Sequence, residues 1–131
     1  MEFTVPSLET LNGSFLDVDE EKQQGRLRFE PTADMCNPHG YVQGGFVTAM
    51  LDDVAGMLCF VVTKRMFTTS NLSVDFFLGT KPNEPVIASA KIIRAGLRRA
   101  VIDAELRGED TGKLLARGTI YQSFLDTQKK D

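Results

Sequence analysis

Two adjacent acids, Asp52 and Asp53, interrupt an otherwise apolar run from Phe46 to Val62. A carboxylate without a partner in such surroundings is costly and tends to shift its pKa. Perturbed acids in apolar settings are candidate bases or nucleophiles. At roughly 100° per residue along a helix, Asp52 shares a face with Thr48, Ala55, Gly56 and Cys59. These are small residues that let a ligand or a second chain come close. Asp53 points about 100° further round, beside Ala49 and Met57, where solvent or a structural partner is the ordinary fate of an acid. Asp52 is therefore the candidate for chemistry.

The second feature is the triplet Gln43-Gly44-Gly45. At a helix start it would present free backbone N–H groups and a partial positive charge. Glycine lets a carbonyl approach that backbone closely. The arrangement can polarise a carbonyl and stabilise the oxyanion formed when it is attacked. Two glycines at a helix start also serve as a plain cap, so the acid and the junction carry weight together rather than separately.

The elements that must position these groups are readable from periodicity and turn residues. Pro6 to Leu11 is expected as a short helix, and Ser14 to Asp19 as a strand. Glu20 to Gln24 reads as a polar turn closed by Gly25. Arg26 to Glu30 alternates basic and apolar, the sign of a half-buried strand, and Pro31 ends it. Ala33 to Gly45 is dense in turn formers and reads as a shaped loop. Gly44 or Gly45 then opens one long helix to about Thr63. Val47, Leu51, Val54, Leu58 and Val61 recur at helical spacing in it, and most other positions are apolar or small, as in a buried helix.

Four strand-like runs follow: Thr69 to Leu78, Val86 to Arg94, Ala100 to Arg107 and Leu114 to Leu125. Turns at Pro82 to Pro85, Gly96 and Gly108 to Gly112 separate them. No strand–helix–strand alternation is present, which disfavours a doubly wound sheet. The expected architecture is α+β, a single domain over residues 1–131. One long central helix is wrapped by a curved sheet of consecutive antiparallel strands. An exposed sheet edge has to be managed, for example by pairing in a dimer. The polar tail after Leu125 is expected to fray.

Bulk properties set limits. A net charge of −3 over 131 residues argues against nucleic acid as a partner. His39 is the sole histidine, and Cys36 and Cys59 have no metal-ligand spacing, so no metal is expected and the thiols read as free. The first nine residues lack the basic start and apolar stretch of a signal peptide. Asp52 and Asp53 make the apolar run a poor membrane span. The expected location is the cytoplasm, with no membrane partner.

Asn37, Gln43, Gly44 and Asp52 follow the spacing Asn-x5-Gln-Gly-Gly-x6-Asp. Here the chain resembles the hot-dog-fold acyl-CoA thioesterases, in particular the PaaI-like branch related to phenylacetate degradation. That branch has an Asn, a His-Gly-Gly triplet opening the central helix, and an acid within the helix. The likeness covers nearly the whole chain, including Thr69 to Phe76 and the segment Thr111 to Gly118. It implies that Asp52 attacks the thioester or activates a water, and that the Gly44 N–H polarises the carbonyl. It implies that Asn37 orients the acid or the water, and that the Thr69 hydroxyl helps hold the water. In that family acid and glycine come from opposite subunits, which implies a homodimer, with a dimer of dimers open. Gln43 stands where the branch has His; it can hydrogen-bond a thioester oxygen but cannot titrate near neutral pH.

The implied substrate is an acyl- or aryl-CoA, with coenzyme A as part of the substrate and no separate cofactor. Gly45, Phe46 and His39 fall with substrate binding. Phe46, Met50, Met57 and Phe60 are candidates to line an acyl tunnel, although such residues more often pack a core. Arg94, Arg98 and Arg99 surround Gly96 and offer forked donors to phosphate; a solvated turn is the plain alternative. Lys64 and Arg65, after the helix, equally suit its C-terminal dipole. A non-catalytic module binding acyl-CoA or acyl carrier protein is the alternative function. A dehydratase would need a His at the junction.

Overall fold

The computed structural model describes residues 5–127. Its elements in chain order are α1 (Pro6–Thr10), β1 (Gly13–Asp19), β2 (Gln24–Phe29), a 3-10 turn (Ala33–Met35), α2 (Gly44–Thr63), β3 (Phe67–Phe76), β4 (Val86–Ala95), β5 (Arg99–Gly108) and β6 (Leu114–Phe124), with a last 3-10 turn (Leu125–Thr127). The six strands form one antiparallel sheet in the order β1-β2-β4-β5-β6-β3. Helix α2 lies across one face of it. This is the hot-dog arrangement expected from the resemblance.

Alternation along each strand explains the packing. Leu27 and Phe29 of β2 are buried, and so are Val86, Ala88, Ala90 and Ile92 of β4, and Ala100, Ile102, Ala104 and Leu106 of β5. They meet Val47, Met50, Leu51, Val54, Leu58 and their neighbours on α2. The alanines of β4 and β5 leave room for the helix to sit close. By length and composition alone α2 would pass for a membrane-crossing helix, but 44% of its apolar window is buried inside the chain, as in a core helix. Its opposite face, with Gly45, Thr48, Ala49, Asp52, Asp53 and Gly56, stays partly or fully exposed. The expectation of burial on most faces thus holds for the sheet side only.

Three expectations shift. The strand after the helix does not neighbour the next one: β3 pairs with β6 at the far edge, and β2 pairs with β4. The chain crosses the sheet along α2 before resuming, so sequence neighbours are not sheet neighbours. β3 also starts and ends earlier than Thr69 to Leu78. Phe77 and Leu78 leave the strand because both their amides turn to the Leu115 carbonyl, at 2.8 and 3.2 Å. The β1–β2 turn spans residues 20–23; Gln23 takes the left-handed conformation, φ 56°, so Gln24 and Gly25 already belong to β2.

The expected frayed tail lies largely outside the described residues, as do residues 1–4 of the N-terminal reading. Within them, Asp126 pairs with Arg65. Cys36 and Cys59 are free thiols.

Candidate active site

The loop before α2 is held by its own backbone and by Asn37. The Asn37 Oδ1 accepts the backbone N–H of His39 at 3.0 Å and of Tyr41 at 3.2 Å. The Asn37 N–H donates to the Tyr41 carbonyl at 2.8 Å, and Gly40, at φ 88°, donates to the Asn37 carbonyl. Gln43 then donates its N–H to the Met35 carbonyl and caps α2 in an extended conformation. Asn37 is thus the organiser of the loop, and His39 sits exposed on it.

The Gln43 carbonyl accepts from Phe46 and Val47, and its side chain makes no cap bond. The amides of Gly44 and Gly45 are the first two of the helix and have no acceptor among the described residues. A Cβ on Gly45 would meet nothing within 4 Å; one on Gly44 would stand 3.3 Å from the Phe76 ring of β3. The helix start therefore offers two free donors beside open space. Gln43, Gly45, Phe46 and Ala49 line a pocket of about 460 Å³ there, with Ser7, Thr10 and Leu11.

The acid lies two turns further on. Asp52 Oδ1 accepts a hydrogen bond of 2.8 Å from the Thr69 hydroxyl. The register along β3 and β6 shifts between Thr69 and Asn71, leaving Ser70 as an extra residue. Without that bulge, Thr69 and Leu72, three positions apart, would face opposite sides of the sheet. With it, Thr69 faces Asp52 while Phe76 still reaches Gly44. Asp52, Thr69, Gly56, Met57 and Phe60 belong to a second pocket of about 320 Å³. A neighbouring apolar pocket of about 350 Å³ lies beneath α1 and shares Val5, Asp53 and Met57 with it.

Asp53 has a raised pKa. Burial pushes its carboxyl up, a 2.8 Å hydrogen bond from the Ser7 hydroxyl pulls it partly back, and the Asp52 charge adds to the rise. Its Oδ2 is buried without a partner. The structural partner expected for this acid is Ser7, on α1.

The sequence-derived residues thus gather at two places, the helix start and the Asp52–Thr69 pair. Met50 is wholly buried in the core and lines neither pocket, so it leaves the tunnel set. Arg94, Arg98 and Arg99 are exposed at the β4–β5 turn and line neither pocket; Arg99 lies over the Tyr121 ring at 5.4 Å. The basic residue lining the Asp52 pocket is Arg65. It holds Asp126 and the Gly96 and Leu97 carbonyls and stacks on Phe124 at 3.6 Å. Position just after a helix end hid this role. Lys64 does cap the helix, donating to the Val61 carbonyl. No group of three His, Cys, Asp or Glu suited to a metal occurs among the described residues. A further pocket, about 490 Å³, is a charged hollow between Arg26 of β2 and Arg117 of β6 and holds none of the expected site residues.

Residues 39–115 match the family model of the thioesterase superfamily. Among solved structures, a proposed thioesterase of Ralstonia eutropha JMP134, described as phenylacetic acid degradation-related, is 31% identical at a TM-score of 0.85, over 92% of each chain. The TT0310 protein of Thermus thermophilus is 25% identical at 0.82, over 92% of this chain and 98% of that one. A Streptococcus mutans protein bound to acetyl CoA shares the fold at 17% identity and a TM-score of 0.78, over 86% and 88%. No curated protein matches the chain.

Proposed function

The chain belongs to the thioesterase superfamily, and from that premise we propose that it hydrolyses an acyl- or aryl-CoA thioester to the free acid and coenzyme A. The observation that carries the reading is the Thr69–Asp52 hydrogen bond at a pocket wall, with free amides at the start of the same helix.

In this reading the Gly44 N–H binds the thioester oxygen and draws charge from the carbonyl carbon. Asp52 either takes a proton from a water as it attacks that carbon, or attacks directly to give a mixed anhydride that water then opens. Collapse of the oxyanion breaks the C–S bond, and the thiolate leaves as coenzyme A. Thr69, bonded to one carboxylate oxygen, orients the other toward the reacting carbon. Asn37 holds the loop that aims Gln43 and the glycine amides. Gly45, Phe46, Met57 and Phe60 accept the acyl group, and coenzyme A is a substrate part rather than a cofactor.

Asp52 lies eight positions after Gly44, about 12 Å along a helix rising 1.5 Å per residue. One chain cannot bring both to one carbonyl. We therefore place the site between two antiparallel copies of α2, each giving its acid to the other's glycine. β3 suits the pairing: it is an edge strand, and Leu72, Phe76, Phe77 and Leu78 along and beyond it are exposed. An apolar open edge of that kind invites a second strand.

The test is coenzyme A release from a panel of short, medium and aromatic thioesters by wild type and Asp52→Ala. Release by wild type and loss in the variant is the expected result. Unchanged turnover in Asp52→Ala would remove the assignment, and binding without release would leave a non-catalytic acyl-CoA module.

A further inference from the structure

Gln122 lies on β6 with 0% of its surface exposed, and neither its Nε2 nor its Oε1 has a hydrogen-bond partner among the described residues. Burying an amide in that condition carries its full desolvation cost, and an apolar side chain of the same shape would be neutral or better. Folding alone gives no reason for a glutamine here. Buried unsatisfied groups in native proteins call for a specific cause, a catalytic role among them.

Its position supplies one. Gln122 is the cross-strand partner of Thr69. Directly paired residues project to the same side of a sheet, and Thr69 projects toward α2, where it meets Asp52. Gln122 points the same way: a Cβ on Gly56 would stand 3.7 Å from its Nε2. Gly56 lies one turn after Asp52 and lines the same pocket. The amide is therefore behind the acid and its hydroxyl partner, reached from neither solvent nor the sheet's outer face.

We propose that Gln122 is a positioning residue for Asp52, acting through Thr69. A hydroxyl has one proton to give and two lone pairs to receive. An N–H of Gln122 donated to Thr69 Oγ1 commits the hydroxyl proton to Asp52 Oδ1 and leaves Oδ2 as the oxygen that acts on the substrate. The final torsion of glutamine is broad, so the amide can swing onto the hydroxyl. Gly56 keeps the space for that movement open. The inference rests on the role given to Asp52 above.

Gln122→Met removes the amide while keeping length and apolar volume. The variant is expected to melt no lower than wild type, to lose about tenfold in kcat with KM unchanged, and to add no loss in a Thr69→Val background. Independently of turnover, the side-chain amide 1H–15N signals of Gln122 should move in Thr69→Val and stay in place in Thr68→Val, whose side chain is exposed on the other face. Wild-type kcat in Gln122→Met, additive losses with Thr69→Val, or amide signals that ignore Thr69→Val would each overturn the inference. A wild type that releases no thiol from any thioester would sink the hydrolase reading instead, and the amide signals would still decide whether Gln122 is coupled to Thr69.

Discussion

The Thr69 hydroxyl and the Asp52 carboxylate, 17 residues apart in the chain, meet at 2.8 Å between an edge strand and the central helix. The contact depends on the extra residue at Ser70, which holds Thr69 and Phe76 on the same side of β3. One backbone irregularity thus sets two features of the site: the hydroxyl that meets the acid and the ring that backs Gly44.

Thr69→Val keeps the side-chain shape and removes the donor. Hydrogen bonds to charged groups contribute about 1.5–3 kcal/mol, so kcat for coenzyme A release is expected to fall roughly 10- to 100-fold, with KM little changed. Thr69→Ser should recover most of the rate. Valine at wild-type kcat would show that the contact orients nothing the reaction uses.

Asp53 predicts a pH effect on stability rather than on rate. Its folded pKa is raised by burial above the ordinary 3.8. The folded chain therefore holds this proton more tightly than the unfolded one. The stability it contributes is full below pH 3.8 and is lost as pH rises through the folded value. Asp53→Asn keeps an acceptor for Ser7 and cannot ionise. Its melting temperature should exceed that of wild type at pH 7 by about a few degrees, the scale on which ~1 kcal/mol reads in a domain of this size. The gap should close toward about pH 3.5. A gap independent of pH, followed by calorimetry, would contradict the sign.

Local patterning made much of this legible. Helical spacing from Val47 to Val61, bounded by a glycine pair, placed α2 at its observed bounds. Strand-like runs bounded by turn residues placed all six strands within two residues of their observed bounds. Sheet order was not legible, because β3 pairs with β6 through contacts some fifty residues distant. Gln122 passed unnoticed, since a polar residue in a strand ordinarily faces water. The face shared by Asp52 and Gly56 was readable from helical geometry, but the Thr69 contact needed the bulge. For Thr69, only the family likeness pointed there. The raised pKa of Asp53 depends on α1 folding over it, a tertiary contact with no local signature.

Gly45 separates stability from function. It lies in the first turn of α2, its backbone is not left-handed, and a Cβ there meets open space within the chain. Gly45→Ala should stabilise by roughly 0.5–1 kcal/mol through the unfolded state. The same methyl would stand where the proposed reaction brings the thioester carbonyl, so kcat/KM should fall while the melting temperature rises. A rise in both would move the acyl-CoA away from this helix start.

Gly44→Pro tests the shared site most sharply. Gly44 is the first helical residue, where proline is well tolerated, and Gln43 already has the extended backbone, φ −60° and ψ 141°, that precedes proline. The substitution deletes one N–H and asks only a small shift of the exposed Phe76 ring. Loss of a single oxyanion donor is expected to lower kcat about 100- to 1,000-fold, and Asp52→Asn should be comparably poor. Mixed and re-equilibrated, the two inactive variants give half heterodimers. If acid and glycine come from different chains, one of the two sites in each heterodimer has both groups intact, and the mixture should recover about a quarter of wild-type activity. If both groups come from one chain, every site in every combination carries a lesion. The mixture then stays inactive, and that outcome would refute the shared site even if each single variant behaves as expected.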